Sequence, residues 1–304
     1  MQTILGAGGA IGIPLAKELP RFTDKVRLVG RNPKKVNPAD ELFQADLTNQ
    51  TQVMEAVKGS QVTYLTAGLK YDTKVWQKEW PEVMNNVIAA CIEHNSKLVF
   101  LDNVYMYGLV KGWMTEETPF NPISHKGEIR ARIASNLIDA YKKKEITAAI
   151  LRAADFYGPD NRGSVLNMLV LDRMKTGKKA NWLANAQALH TFTYTPDAAK
   201  AMALIGNTPD AYNQTWHAPT DMNALTGEGY IKIAADFMKT NPKYTVFKKW
   251  QMQLAGIFNP VIRESLEMLY QNEYDYLFNS SKFESRFKFK PISYRDGITG
   301  YLNI

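Results

Sequence analysis

Met1-Gln-Thr-Ile-Leu-Gly6-Ala-Gly-Gly9-Ala-Ile-Gly12 reads as the end of a strand, a tight turn and the start of a helix. Ile4 and Leu5 close a short apolar run, and the stretch after the glycines, Ile13-Pro-Leu-Ala-Lys-Glu-Leu19, is amphipathic. Glycines at 6, 9 and 12 let the backbone turn sharply and come close to a pyrophosphate, and the last lets helix pack on strand. The helix start then offers unpaired N–H groups and a positive dipole end to the anion. A glycine triplet alone also marks ordinary turns. Here it stands between a strand and a helix, the context that the dinucleotide fingerprint requires. Gly6, Gly8, Gly9, Ala10, Ile11 and Gly12 are therefore the expected cofactor cradle.

Working outward, apolar runs alternate with helical patterns. Val26-Arg-Leu-Val29 ends at Gly30-Arg31-Asn32-Pro33, and Leu42-Phe43-Gln-Ala45 leads into Asp46-Leu47. Gln61-Val-Thr-Tyr-Leu65 ends at Thr66-Ala67-Gly68, and Lys97-Leu-Val-Phe-Leu101 follows an aromatic-rich stretch (Tyr71, Trp76, Trp80) and a helix around Cys91. Ile129, Ile133, Leu137 and Ile138 give residues 128–143 a helical period ahead of Ile146-Thr-Ala-Ala-Ile-Leu151. The alternation predicts an α/β chain with a doubly wound parallel sheet, the Rossmann arrangement. Beyond about 158 the pattern loosens, which predicts a smaller C-terminal substrate lobe. Residues 1–157, with 180–215 returning to them, form the dinucleotide lobe in this reading, and 158–179 with 216–304 form the smaller one.

Composition bounds the function. A chain of 304 residues buries a large core, and no apolar run approaches the roughly 18 residues of a membrane span. The first strand begins almost at Met1, so no signal peptide is expected. The single cysteine, Cys91, excludes a disulfide framework, and its apolar helical surroundings suit a buried residue. A cytoplasmic location is expected. The net charge of +7 is dispersed over Lys142–Lys144, Lys178-Lys179, Lys248-Lys249 and 282–290, which fits solvated helix ends better than a nucleic-acid surface. The expected partner is a small-molecule substrate, with neither nucleic acid nor membrane. A homodimer is compatible with the chain, with no residue specifying it.

These segments in this order resemble the extended short-chain dehydrogenase/reductase family, the group of nucleotide-sugar epimerases and dehydratases. The resemblance rests on the glycine motif, on Asp46-Leu47, on Thr66-Ala67-Gly68 and on Asp102-Asn103-Val104-Tyr105-Met106-Tyr107-Gly108. Leu151-Arg152-Ala-Ala-Asp155-Phe-Tyr157-Gly158-Pro159, Phe192-Thr-Tyr194-Thr-Pro-Asp197 and 287–297 extend it over nearly the whole chain. The resemblance implies that Asp46 faces the adenine and that Thr66 to Gly68 lie beside the cofactor. Enzymes that take NAD usually carry an acidic residue after strand two to accept the ribose hydroxyls. This chain has Gly30 and Arg31 there, with Asn32 next, so a 2′-phosphate would gain a guanidinium partner. NADP(H) is the expected cofactor, with NAD as the second choice and a solvent-facing Arg31 as the alternative.

The chain departs from the family at the active-site signature, a Ser or Thr followed by a Tyr-x-x-x-Lys pair. In register, Asn103 holds the hydroxyl position, Lys126 the Tyr position and Arg130 the Lys position. Lys126 and Arg130 fall on one helix face at i, i+4. Two cations so spaced, partly buried, would each be costlier to charge, which would leave Lys126 able to act as a general base. The candidate catalytic set is Lys126, Asn103, Tyr105 and Arg130, with Lys126 also counted as a cofactor contact. Alternatively, Lys126 and Arg130 only clamp the cofactor, and Tyr71, Tyr105, His125, Asp155 or Tyr157 moves the proton. The literal strings Tyr107/Lys111 and Tyr244/Lys248 are rejected as the pair because of their places in the chain. His190 stands where sugar-nucleotide enzymes often carry an Arg for phosphates, and a structural role suits it better. Trp76, Trp80, Trp182 and Trp216 could line a pocket, though aromatics more often build core. His94 and His217 are too isolated to suggest a metal.

Two readings follow. The first is an NADP(H)-dependent oxidoreductase or epimerase/dehydratase-like enzyme acting on a hydroxyl or keto carbon of a small molecule, with a sugar nucleotide as one candidate. The second is a non-catalytic NAD(P)-binding sensor or partner-binding protein that kept the nucleotide site and lost the chemistry.

Overall fold

A computed structural model describes residues 1–161 and 163–303. Seven strands make one parallel sheet: β1 (Gln2–Leu5), β2 (Val26–Gly30), β3 (Glu41–Gln44), β4 (Val62–Leu65), β5 (Lys97–Asp102), β6 (Ala148–Arg152) and β7 (Gln214–His217). Their spatial order is β7-β6-β5-β4-β1-β2-β3, each pair parallel. Every residue of β1, β4 and β6 is buried, as expected of parallel strands covered on both faces.

The helices that cover the sheet are α1 (Gly12–Glu18), α2 (Gln50–Val57), α3 (Thr73–Glu93), α4 (His125–Lys142) and α5 (Thr195–Gly206). Leu15 and Ala16 of α1 share one apolar cluster with Ala198, Met202 and Ile205 of α5. Val53 of α2, Val83 and Val87 of α3 and Ile133 and Leu137 of α4 share the other. The chain reverses between β1 and β4, and the crevice beyond their carboxyl ends is where such sheets hold ligands.

Two boundaries differ from the sequence reading. α3 runs unbroken through the aromatic-rich stretch and Pro81, because Trp76, Trp80, Val83, Met84 and Val87 bury one continuous helical face. Pro81 leaves the Gln77 carbonyl without its helical donor, and Arg132 Nη2 reaches that oxygen at 3.5 Å. The lobe boundary at 216 falls inside β7, and 180–183 pairs with 244–247 in the smaller lobe. That lobe has its own core, built around Trp182, Phe192, Tyr230 and Tyr294.

Candidate active site

The glycine turn is built for a close backbone approach. Gly6 has φ +93°, and a Cβ there would lie 2.4 Å from the Ala67 Cα, so glycine is required. A Cβ on Gly12 would lie 2.7 Å from the Ala7 carbonyl oxygen, which sets how closely α1 packs on the turn. Thr66 fastens the two crevice walls together by donating from Oγ1 to the Gly6 carbonyl at 3.2 Å. Gly8 and Gly9 differ: both are exposed, Gly8 has open space where a Cβ would point, and at Gly9 the nearest atom is 3.6 Å away. The fold tolerates side chains at these two positions, yet the sequence keeps them bare. That is a cradle suited to the phosphates of a dinucleotide. Gly9→Val is therefore expected to keep the thermal unfolding midpoint within a few degrees while weakening dinucleotide binding at least about a hundredfold by calorimetric titration. Undiminished binding would place the cofactor elsewhere.

At the edge of the crevice Arg31 and Asn32 are exposed, beyond the end of β2. Asp46 follows β3, and its Oδ1 accepts from Thr48 N at 3.0 Å and Thr48 Oγ1 at 2.8 Å. Those bonds, with a smaller contribution from Arg31, hold its carboxyl below the usual range. Asp46 thus caps its own turn with one oxygen and has the other to offer a ligand.

Lys126 opens the first turn of α4 and is wholly buried. Its Nζ donates to Glu264 Oε2 (2.8 Å), Glu267 Oε1 (2.9 Å), Thr73 Oγ1 (2.8 Å) and the Glu264 carbonyl (2.9 Å), and it lies 4.6 Å from the centre of the Tyr71 ring. Burial pushes the Glu264 carboxyl up, but the hydrogen bonds from Lys126 and Thr73 outweigh that and hold it at about 2. Glu267 also accepts from the His125 backbone N–H at 2.7 Å, at the start of α4, where a helix favours an anion.

The mutual-repulsion argument for Lys126 is corrected by this arrangement, because each cation has its own carboxylate. Arg130 lies beneath the crevice. Its Nε donates to Asp102 Oδ1 at 2.7 Å, its Nη2 bonds the same oxygen, and its guanidinium stacks over Trp80 at 4.4 Å. With Nε and Nη2 committed to Asp102 and 3% of its surface exposed, Arg130 serves first as the buried partner of that carboxylate, a role the sequence did not reveal. The neighbouring Arg152 donates to the Tyr107 hydroxyl at 2.7 Å, and that hydroxyl meets His217 Nε2 at 2.9 Å. The other ring nitrogen faces the Asn279 carbonyl at 2.8 Å, an acceptor only, so Nδ1 carries the proton. These bonds remove Tyr107 from any Tyr-Lys pair with Lys111. Tyr244 is likewise spent on Glu228.

Burial pushes the His217 imidazole down to about 3, against its bond to Asn279. The unfolded chain takes up a proton near pH 6.5 while the folded chain does not, so stability falls as pH drops from 6.5 towards 3 and is unaffected by this group above 6.5. His217→Gln should flatten the stability–pH curve in that window by about one proton, read from urea unfolding at a series of pH values. An unchanged slope would assign the acid lability to other groups.

Several candidates converge above the strand ends. Tyr105 stacks on Trp76, with 6.3 Å between ring centres, and its phenol and that of Tyr71 are close enough to perturb each other. Burial pushes both phenols up, with nearby Asp155 adding to it. Asp155 meets His190 Nε2 at 3.1 Å, and His190 Nδ1 faces the Gln271 carbonyl at 3.1 Å. With both nitrogens engaged at 2% exposure, His190 has the structural role the sequence suggested. Asn103 Oδ1 accepts from the Tyr105 backbone N–H at 3.1 Å, a local turn that fixes the loop carrying Tyr105. His125 points outward and sits 3.6 Å from Glu128. Tyr157 is corrected: it lies in the smaller lobe's core against Tyr194 and Tyr294. All four tryptophans named above are buried as core, and among the described residues no cluster of His, Cys, Asp or Glu is arranged to hold a metal.

Sequence reading missed Thr73, Glu264 and Glu267. Glu264 and Glu267 are spaced i, i+3, which puts both on one helical face, and an unusual buried cation needs just such a counter-charge. Their partner lies about 140 positions earlier in the chain, a pairing no local pattern shows.

A parallel sheet wound in both directions, a bare glycine turn at its switch point and a second lobe over the strand ends define a dinucleotide-binding protein of the extended short-chain dehydrogenase/reductase class. A sequence model of the NAD dependent epimerase/dehydratase family matches residues 3–218, and the chain belongs to that family. An uncharacterized UDP-glucose epimerase of Bacillus subtilis is 25% identical over 136 residues, 44% of this chain and 43% of that protein. The N-acetyl-alpha-D-glucosaminyl-diphospho-ditrans,octacis-undecaprenol 4-epimerase of Escherichia coli O157:H7 is 25% identical over 179 residues, 55% of this chain and 52% of that protein. The matches thus span about half the length of these relatives. Among solved structures, the dTDP-glucose 4,6-dehydratase of Streptomyces venezuelae, with NAD bound, superposes at TM-score 0.81 with 14% identity over 100% of this chain and 96% of its own. The UDP-glucuronic acid 4-epimerase of Bacillus cereus, in complex with UDP-glucuronic acid and NAD, does so at 0.80 with 17% identity over 100% and 98%. At these identities the superpositions establish the fold.

Proposed function

We propose that this protein is an NADP(H)-preferring epimerase/dehydratase-like oxidoreductase that acts on a hydroxyl or keto carbon of a sugar nucleotide. One observation supports the reading: a bare glycine cradle stands at the same end of the sheet as a group of titratable side chains, with Lys126 on the Tyr71 ring and Asp155 near enough to raise both the Tyr71 and the Tyr105 phenols. The UDP-glucose epimerase among the relatives, with the dTDP-glucose and UDP-glucuronic acid enzymes among the solved structures, supports the substrate class. Gly6 to Gly12 would hold the pyrophosphate, Arg31 and Asn32 the adenosine ribose, Asp46 the adenine, and Thr66 to Gly68 the wall beside the nicotinamide. The nicotinamide, when bound, supplies a hydride acceptor and donor. The chain's own part is to hold the reacting oxygen and move its proton. Lys126 would do so from the position that the family fills with Tyr, with Tyr105 and Tyr71 as neutral phenol donors behind it.

The test is incubation with NADP(H) or NAD(H) and a panel of UDP- and dTDP-hexoses, read at 340 nm and by NMR of the sugar carbons. No isotope exchange, epimerisation or oxidation across the panel would overturn the substrate class. For the cofactor, NADPH is expected to bind at least about tenfold tighter than NADH, since a charge-assisted pair is worth about 1.5–3 kcal/mol. Arg31→Asp should reverse the order. Equal affinities in calorimetric titration, or no change on mutation, would refute the preference.

A second reading, a cofactor-binding sensor without turnover, has one observation in its favour. The three protons of the Lys126 ammonium already face four acceptors, so none is free for a substrate in this conformation.

A further inference from the structure

The segment that supplies Glu264 and Glu267 begins as a helical hairpin, α6 (Lys249–Phe258) and α7 (Pro260–Ser265), whose polarity is inverted for a helix packed on protein. Its acidic side chains turn inward to Lys126, while Trp250, Leu254, Ile257, Phe258 and Val261 point outward and are 54–87% exposed. The spacing of these five residues continues one apolar stripe across both helices. The hairpin is a packed unit and not a frayed loop: a Cβ on Gly256 would lie 3.1 Å from Leu266 and 3.3 Å from Arg263, and Asn259 caps α7 through two backbone N–H groups. An exposed stripe of this kind on an ordered element marks a surface that something covers.

The charge around the stripe selects what covers it. Residues 239–263 contain Lys239, Lys243, Lys248, Lys249 and Arg263 and no Asp or Glu. Lys249 pairs with Glu273 at 3.0 Å, and the other four have no carboxylate from their own segment. Two copies of this chain meeting through the stripe about a two-fold axis would bring these cations against each other, which opposes a homodimer here. An apolar face rimmed by cations is instead the composition of a helix that lies in the interface of an anionic bilayer. α6 has ten residues, about half the length needed to cross, and among the described residues no helix is long and apolar enough to span a membrane. We propose that the 249–263 hairpin docks this protein on an anionic lipid surface, with Trp250, Leu254, Ile257, Phe258 and Val261 inserted and Lys243, Lys248 and Arg263 at the headgroups. The sequence analysis expects no membrane partner, and this proposal departs from that expectation.

Docking also reaches the active site, because Glu264 follows directly on the inserted face and holds Lys126. That consequence rests on the catalytic reading above, whereas docking itself does not, so the experiment reads docking by partition alone. The full chain is floated with vesicles of phosphatidylcholine containing 30% phosphatidylglycerol, and with phosphatidylcholine alone, at 0.1 M salt. The expected result is partition onto the anionic vesicles, at least about tenfold weaker onto the neutral ones. The exposed double variant Ile257→Ser/Phe258→Ser should lose at least tenfold, and Lys248→Gln/Arg263→Gln should lose the preference for anionic lipid. Absence of flotation by the wild type overturns the proposal. So does equal partition of the wild type and the Ile257→Ser/Phe258→Ser variant. Sedimentation showing a wild-type dimer that this same variant dissociates would assign the stripe to a second copy, and would also overturn it.

Discussion

Arg130→Met is expected to destabilise the fold by about 3–5 kcal/mol, the range for removing one partner of a buried ion pair. Asp102, at the end of β5, has a wholly buried carboxylate that takes two hydrogen bonds from Arg130 and one from the Asn103 backbone N–H at 2.9 Å. Its other oxygen lies 3.7 Å from Arg152 Nε with no hydrogen bond, so Arg152 is a weak substitute. Methionine would put an apolar side chain where the guanidinium meets the carboxylate, and would lose the guanidinium's contacts with the Trp80 and Phe100 rings. For a chain of this size the midpoint should fall by roughly 6–10 °C. Arg130→Lys, which restores the family residue, should recover only part, because an ammonium cannot give the forked pair or the planar stack. Adding Asp102→Asn to Arg130→Met should recover stability by neutralising the stranded charge, which a cofactor-clamping role for Arg130 would not predict. Unchanged unfolding with weakened dinucleotide binding would return Arg130 to the ribose.

This network also shows where the sequence was informative. The strands, their parallel direction and the cradle follow from local signals: apolar runs of four to six residues, glycines at fixed offsets and a helical period. Those signals are set by backbone sterics and by burial of one face, so they are visible in any short window. Asn103, Lys126 and Arg130 were identified as substitutions by register alone. What each does was not legible, because the partners that decide it, Asp102 under Arg130 and Glu264 with Glu267 over Lys126, are set by tertiary packing at separations of 28 and about 140 residues. The i, i+4 spacing correctly put the two cations on one face of α4. It could not tell that one would turn down to the sheet and the other up to the smaller lobe. The continuity of α3 through Pro81 was hidden for a similar reason: a local rule about proline was outweighed by a buried face running the length of the helix.

Lys126→Met should lower turnover by about 10²–10⁴ while leaving dinucleotide affinity within a few-fold, if proton transfer runs through this side chain. The same change strands two carboxylates against each other, and because Glu264 and Glu267 are each about one-fifth exposed, water relieves part of the cost. The stability loss should therefore fall below that of Arg130→Met, at about 2–3 kcal/mol. Glu264→Gln/Glu267→Gln tests the other side of the contact. It keeps the lysine and removes its counter-charges, so Lys126 should be released towards the substrate and the substrate KM should fall with kcat unchanged or higher. The pH dependence gives an independent check with a defined sign. Glu264 titrates at about 2 in the folded chain against 4.5 unpaired, so its contribution is complete above pH 4.5 and is lost as pH falls from 4.5 towards 2. Trp250 fluorescence, reporting on the hairpin, should change across that lower window in the wild type and stay flat in the double glutamine variant. If Lys126→Met leaves turnover intact, the ammonium is a latch for the hairpin alone, and Tyr105 becomes the proton-transfer group to replace next. If neither variant nor the wild type turns over any sugar nucleotide while dinucleotide binding persists, the saturated Lys126 belongs to a sensor.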